Sequence, residues 1–106
     1  FAQVPQLRIP ERDPKSTHVF HQYTLRVLDG RRDALREHLQ QAGIPAMIYY
    51  PVPLHLQKAY EGYGIRRGDL PVTEELMEQV LSLPMSTELD HEQLAHITGT
   101  VKAFFQ

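Results

Sequence analysis

The chain has 106 residues, a length that accommodates one domain with one modest hydrophobic core. Hydrophobic residues make up 42% of it and charged residues 23%, a balance typical of a folded globular domain and not of a disordered one. The formal net charge of −2 gives no sign of a nucleic-acid partner or an anionic membrane, and no apolar run reaches the roughly 20 residues of a membrane span. Cysteine is absent, which excludes disulfides and thiolate zinc sites and fits a cytoplasmic location.

The N-terminal segment Phe1–Pro14 is rich in proline and charge and predicts an irregular lead-in. The chain starts at a phenylalanine, and no charged and apolar leader follows. We therefore interpret the chain as a piece of a longer protein. Residues 1–16 lead in from a missing N-terminal domain, and residues 17–106 form the domain itself.

An alternating segment, a helix and a second extended segment come next. Thr17–Val27 alternates with period two and contains β-branched and aromatic residues, which predicts a half-buried strand. Arg31–Ala42 has apolar residues at helical spacing, and Gly43 stands where a left-handed helix end favours glycine. Ile44–Tyr50 predicts a second strand, ended by prolines that cannot donate to a ladder. We expect the two strands to pair and the helix to pack on their sheet through its leucines.

The rest of the chain predicts two more helices and a short extended segment. Thr73 fits the N-cap of a helix that buries four apolar side chains, Leu76, Met77, Val80 and Leu81. Leu83–Met85 follows as a brief extended segment. Asp90, with Gln93 three residues later, has the pattern of a capping box and begins the last helix. Between these regions, residues 54–70 predict a helical turn and a glycine-containing loop.

The order of these elements predicts an α/β (α+β) fold. Its small, three-stranded and largely antiparallel sheet would be covered on one face by about three helices.

Composition and spacing alone indicate no catalytic machinery. His18 and His21 stand three apart on a strand and fall on opposite faces, so they cannot chelate one ion, and we expect no metal site. The glycines of residues 62–68 have the wrong spacing for a nucleotide-binding loop. Three glutamates begin the helix after Thr73, where negative charge suits the helix dipole, and we interpret them as a solvated face: Glu74, Glu75 and Glu78.

The segment Tyr49–Gln57 is the most informative stretch of the chain. Two tyrosines end a strand, and two spaced prolines, a histidine and a glutamine follow. Proline stiffens such a loop and presents neighbouring side chains at fixed positions. Two interpretations stay open at this point: half-buried edge aromatics with hydrated hydroxyls, or a binding loop.

The chain resembles the DegT/StrS-type sugar aminotransferases from about Thr17 to Phe104. Five stretches carry the resemblance in the family's order. The first three resemble its histidine-rich strand, its next helix and turn, and its active-site loop, and the last two complete the set: His18–Val27, Arg32–Ile44, Tyr49–Gln57, Gly68–Glu74 and Leu81–Met85.

The resemblance implies the C-terminal small domain of a fold-type I enzyme that uses pyridoxal 5′-phosphate and works as a homodimer. Such an enzyme moves an amino group, commonly from glutamate, onto a ketone of a nucleotide-linked sugar, for cell-surface polysaccharide (lipopolysaccharide included) or aminosugar biosynthesis. The small domain closes over the sugar, so the resemblance implies substrate contacts for Tyr49, Tyr50, His55 and His21. It implies no catalytic, cofactor-binding or metal-binding residue in this chain.

Two departures from the family's pattern bear on this expectation. Tyr49 takes the position where a histidine is usual. Unlike histidine, tyrosine cannot be a cation near neutral pH, so the exact sugar is in doubt. None of the chain's lysines, Lys15, Lys58 and Lys102, stands in a motif like that of the cofactor-binding lysine. The spacing of Pro51–Gln57 is most like that of relatives that aminate the 3-position.

Two alternatives remain beside the aminotransferase. One is a non-catalytic module that binds a sugar or a partner protein. The other is a sugar dehydratase of the same family, in which histidine replaces the cofactor-binding lysine. The sequence upstream of this chain would distinguish the three.

Overall fold

The computed structural model describes residues 1–106 and contains one sheet, three α-helices and two short 3-10 helices. None of the helices has both the length and the apolar character needed to cross a membrane. In chain order the elements are β1 Leu7–Arg8, β2 Tyr23–Val27, α1 Arg32–Gln41, 3-10 helices Leu54–Leu56 and Lys58–Tyr63, α2 Pro71–Gln79, β3 Val80–Leu83 and α3 His91–Phe104.

The three strands form an antiparallel sheet in the order β1-β2-β3, which confirms the predicted fold class. Alternation along β2 buries Leu25 and Val27 completely on one face, which α1 and α3 cover. The opposite face carries Thr24 and Arg26, and Arg26 bonds to side chains of α2. The core thus lies between the sheet and two helices, and because α2 bonds to the opposite face, the prediction that all the helices cover one face is wrong. Its members are Leu7, Leu25, Val27, Leu35, Leu39, Ile44, Ala46, Leu81, Leu83, Ile97 and Val101.

Helix α1 and its end match the sequence prediction. Leu35 and Leu39 are fully buried. Gly43 has a φ of +76°, and the two hydrogen bonds of a Schellman turn close the helix: Gly43 N–H donates to the carbonyl of Gln40 and Ile44 N–H to that of Leu39. The helix therefore ends where glycine allows the left-handed turn.

Helix α3 begins with the predicted capping box. The Asp90 carboxylate accepts from the Gln93 backbone N–H at 2.8 Å, and the Gln93 side chain accepts from the Asp90 N–H at 3.1 Å. Ile97 and Val101 then face the core.

The first predicted strand, Thr17–Val27, is correct only in its last five residues. Phe20 has a φ of +48°, which no strand accommodates, and its N–H donates to Nδ1 of His18 at 2.8 Å. This local hydrogen bond removes a donor that a ladder would need, so regular pairing begins at Tyr23.

The predicted pairing of Ile44–Tyr50 with the first strand is wrong. The segment lies beside β3 and makes one isolated bridge, in which Met47 and Ser82 exchange both backbone hydrogen bonds at 2.9 Å. The next bonded pair in that register would join Pro45 to Pro84, and neither has an N–H. In the other direction, the N–H of Val80 donates to the carbonyl of Leu76. No ladder can form on either side.

Helix α2 is displaced from its predicted position. It begins at Pro71, whose fixed φ suits the first helical position, so Thr73 lies inside the helix and is not its cap. It ends at Gln79, and Val80–Leu83 forms a strand instead of continuing the helix. The buried guanidinium of Arg32 donates to the carbonyls of Met77 and Val80 at 2.8 and 3.2 Å, which caps the helix there.

The lead-in Phe1–Pro14 is not wholly irregular as predicted. Leu7 is buried and pairs with Val27, and Arg8 pairs with Arg26. A buried leucine next to a free strand edge is enough to add this short strand.

Candidate functional site

Tyr49 and Tyr50 lie at the exposed end of the segment beside β3. Alternate residues before them, Ile44 and Ala46, are buried in the core, which turns Met47 and Tyr49 to the opposite face. Tyr49 is 50% exposed and Tyr50 75%, so both rings are displayed at the surface and the half-buried interpretation does not hold for Tyr50.

The two tyrosines share a groove of about 480 Å³ with the loop that follows them. The loop is held by its own bonds: the Gln57 side-chain amide donates to the Val52 carbonyl at 3.0 Å, and the Leu56 N–H donates to the Pro53 carbonyl at 3.0 Å. Only one charged side chain lines the groove. Its lining residues are Tyr49, Tyr50, Pro51, Val52, Leu56, Gln57 and Lys58.

Tyr50 also faces a smaller groove of about 210 Å³ against α2. Thr73, Leu76 and Met77 of that helix line it. The position of Tyr50 therefore depends on how the loop sits against α2.

His55 occupies a different environment from the tyrosines. It lies in the first 3-10 helix with its side chain 5% exposed, and its Nε2 lies 3.0 Å from Oε1 of Glu74 on α2, so Nε2–H donates to the carboxylate. The ring thus forms the back of the loop, whereas the tyrosines form its exposed side.

Glu74 is the residue that sequence reasoning missed. It was interpreted with Glu75 and Glu78 as a solvated face, yet its side chain is 13% exposed and accepts bonds from His55 and from the N–H of Gly68. The hydrogen bond from His55 and then that from Gly68 lower the pKa of the Glu74 carboxyl below its ordinary 4.5. The available signal was an acidic residue in a first helical turn, shortly after a glycine-containing loop, while His55 stands 19 residues earlier.

The structure does not bring His21 to this groove. Tyr23 pairs with Leu83 at one end of β3, while the tyrosine segment runs past Val80 at the other end. His21 lies exposed just before β2, beyond the far end of the sheet. Its contact with substrate stays a prediction. Elsewhere, no group of three or more His, Cys, Asp or Glu side chains could hold a metal ion.

Comparison with known proteins identifies the class to which this fold and groove belong. The DegT/DnrJ/EryC1/StrS aminotransferase family matches residues 1–102. The chain belongs to this family, and the match corresponds to a C-terminal part of its members.

Three similar proteins show how far the match extends. A pleiotropic regulatory protein of Geobacillus stearothermophilus is 43% identical over 84% of this chain and 23% of its own length. A UDP-N-acetyl-3-dehydro-alpha-D-glucosamine 3-aminotransferase of Acidithiobacillus ferrooxidans is 42% identical over 91% of this chain and 25% of its own. The crystal structure of DesV from S. venezuelae superposes with a TM-score of 0.91 at 37% identity, covering 99% of this chain and 28% of DesV. The chain therefore spans about a quarter of the length of these relatives.

Proposed function

We propose that this chain is the small domain of a pyridoxal-phosphate-dependent aminotransferase, which moves an amino group from glutamate onto a ketone of a nucleotide-linked sugar. The observation that carries the proposal is the pair of exposed tyrosines on a stiffened groove, in a chain that belongs to a sugar aminotransferase family. Tyrosine hydroxyls both donate and accept, and sugar hydroxyls and ring oxygens are their natural partners.

The groove offers chemistry that suits such a substrate. Tyr49 and Tyr50 present hydroxyls and ring faces, and Lys58 provides one cation at its rim. A nucleotide-linked sugar combines uncharged hydroxyls with an anionic diphosphate, so both features have a partner on one ligand. Because the loop is already braced by Gln57, little conformational entropy is lost when the substrate binds.

The residues of this chain do not fit the cofactor itself. Lys15, Lys58 and Lys102 are all exposed, whereas a lysine that bonds covalently to a carbonyl cofactor needs an enclosed site. We therefore place the cofactor in the part of the protein outside this chain. When bound, it supplies an electron sink at the substrate's amino-bearing carbon.

The relatives and the family resemblance supply further details of the substrate, the donor and the biological role. The 3-position of the sugar is supported by the name of the Acidithiobacillus relative, a 3-aminotransferase for a UDP-linked sugar. Glutamate as the donor, a homodimer, a cytoplasmic location and a role in cell-surface polysaccharide or aminosugar biosynthesis follow from the family resemblance and stay predictions.

One observation favours the non-catalytic alternative. The Geobacillus relative, at 43% identity, carries the name of a regulatory protein and not of an enzyme. In that case the same groove would bind a sugar or partner without turnover.

An assay of the full-length protein that contains this chain distinguishes the aminotransferase from the non-catalytic module. With added pyridoxal phosphate, glutamate and a 3-keto nucleotide sugar, the proposal expects equal amounts of amino sugar and 2-oxoglutarate, measured by chromatography and mass spectrometry. Saturable sugar binding with no amino transfer, over a panel of keto-sugars and amino donors, would support the module instead.

A further inference from the structure

The Glu74 carboxylate connects three separate segments of the chain. Its own backbone belongs to the first turns of α2. Its Oε1 accepts from Nε2 of His55 at 3.0 Å, and its two oxygens accept from the N–H of Gly68 at 2.8 and 3.0 Å. One side chain thus joins the helix to the proline loop on one side and to the glycine-containing loop on the other.

The His55 contact fixes more than the histidine. The 3-10 turn that carries His55 is closed by backbone bonds from Leu56 to Pro53 and from Gln57 to Leu54, and the Gln57 side chain bonds back to Val52. Residues 52–57 therefore behave as one stiff unit that starts two positions after Tyr50. Where Glu74 holds His55, it also sets the distance between Tyr50 and α2.

The His55–Glu74 pair is well shielded from water, which strengthens its hydrogen bond. Side-chain exposure is 5% for His55 and 13% for Glu74, whereas exposed ion pairs such as that of Arg26 and Glu75 are screened by solvent. An apolar groove of about 400 Å³ lies beside the pair and is lined in part by Leu54, Tyr60 and Leu70. Hydrogen bonds to a charged group in such surroundings are stronger than neutral ones.

We propose that Glu74 and His55 are positioning residues of the tyrosine groove: their pairing latches the loop that carries Tyr49 and Tyr50 onto α2. The inference rests on the proposed function, in that the groove is taken as the sugar site. The family resemblance implied a direct contact of His55 with the sugar, whereas this inference gives His55 a role behind the groove, exerted through its bond to Glu74.

The first test uses the full-length protein and compares Glu74→Gln with Glu78→Gln. Glu78 is exposed on the same helix, so its substitution makes the same charge change without touching the latch. Trypsin can cut after the exposed Lys58, which directly follows the unit of residues 52–57 that the latch holds. Loss of a charged hydrogen bond should speed cleavage there about tenfold in Glu74→Gln and leave Glu78→Gln at the wild-type rate.

The second readout is steady-state kinetics with the keto-sugar and with the amino donor. We expect Glu74→Gln to raise KM for the keto-sugar roughly tenfold while KM for the donor changes little, because only the sugar groove loses its position. Faster cleavage with an unchanged sugar KM would reduce the pair to a structural contact and overturn the inference. Equal cleavage rates in both variants would overturn the latch itself.

A double-mutant cycle separates positioning from direct contact. If His55 acts only through Glu74, then His55→Ala combined with Glu74→Gln should raise the sugar KM no more than either change alone. Additive effects would show that His55 has an independent role and would contradict the coupling. A wild-type protein that aminates no nucleotide-linked sugar would contradict the proposed function, and the cleavage comparison would still decide the latch.

Discussion

Replacing Tyr50 with phenylalanine removes one hydroxyl from the groove and nothing else. Tyr50 is 75% exposed, and its hydroxyl takes part in no side-chain hydrogen bond within the chain, so the folded domain loses no internal contact. Surface substitutions of this kind change the free energy of unfolding by no more than about 0.5 kcal/mol. If the hydroxyl bonds to an uncharged sugar oxygen, the loss amounts to about 0.5–1.5 kcal/mol. That corresponds to a decrease in kcat/KM for the keto-sugar of roughly 2- to 12-fold.

Tyr63 provides the matched control for this variant. It is 78% exposed and lines the groove beside the His55–Glu74 pair, not the groove that holds Tyr50, so Tyr63→Phe makes the same chemical change outside the tyrosine groove. The assay is steady-state kinetics on the full-length enzyme, beside a thermal melt of each variant. If Tyr50→Phe equals Tyr63→Phe in kcat/KM, or loses activity only in step with a lowered Tm, the hydroxyl does not contact the sugar.

Three further outcomes are expected. Asp90→Ala removes the cap of α3 and lowers the stability of the helix by about 1 kcal/mol. The amides of its first turn should then exchange with solvent about fivefold faster, measured by hydrogen-exchange mass spectrometry, and unchanged exchange would refute the cap's contribution. The lowered pKa of Glu74 means that its stabilising contribution is complete above about pH 4.5 and is lost as the pH falls through that lowered pKa. Protection of the Gly68 amide from hydrogen exchange should therefore decline in acid in the wild type and show no such step in Glu74→Gln. The isolated chain, whose lysines are all exposed, should form no dialysis-stable adduct with pyridoxal phosphate, and a stoichiometric adduct at Lys58 would contradict this.

Helix ends that depend on neighbouring residues could be predicted from the sequence. Gly43 ends α1 because its backbone must turn left-handed, and Asp90 begins α3 because its carboxylate bonds to the next turn. Both effects depend on neighbours within a few residues, so they can be identified in the sequence. Both ends of helix α2 were predicted wrongly. Its start at Pro71 was a local signal that the prediction passed over in favour of Thr73, and its end depends on the guanidinium of Arg32, which comes from far away in the chain.

Strand pairing was the part that the sequence could not determine. The alternation in Ile44–Tyr50 was real, since Ile44 and Ala46 are buried, but alternation does not specify a partner. The partner is β3, and the juxtaposition of Pro45 and Pro84 that limits the pairing to one bridge exists only in three dimensions.

The same difference between local signals and contacts of distant segments applies to the candidate site. Tyr49 and Tyr50 were singled out because prolines and tyrosines adjoin in sequence, but their contact with the sugar was implied only by the family resemblance and stays a prediction. Glu74 was missed because His55 stands 19 residues before it, and only the folded loop brings the two within hydrogen-bond distance.

The central claim is that the tyrosine groove belongs to an enzyme that aminates a nucleotide-linked sugar. The most direct measurement is transfer of ¹⁵N from labelled glutamate to a 3-keto nucleotide sugar by the full-length protein, followed by mass spectrometry of the product. We expect one labelled nitrogen per sugar, at a rate that decreases in Tyr50→Phe and not in Tyr63→Phe. Binding of the sugar without any labelled product, across donors and keto-sugars, would contradict it.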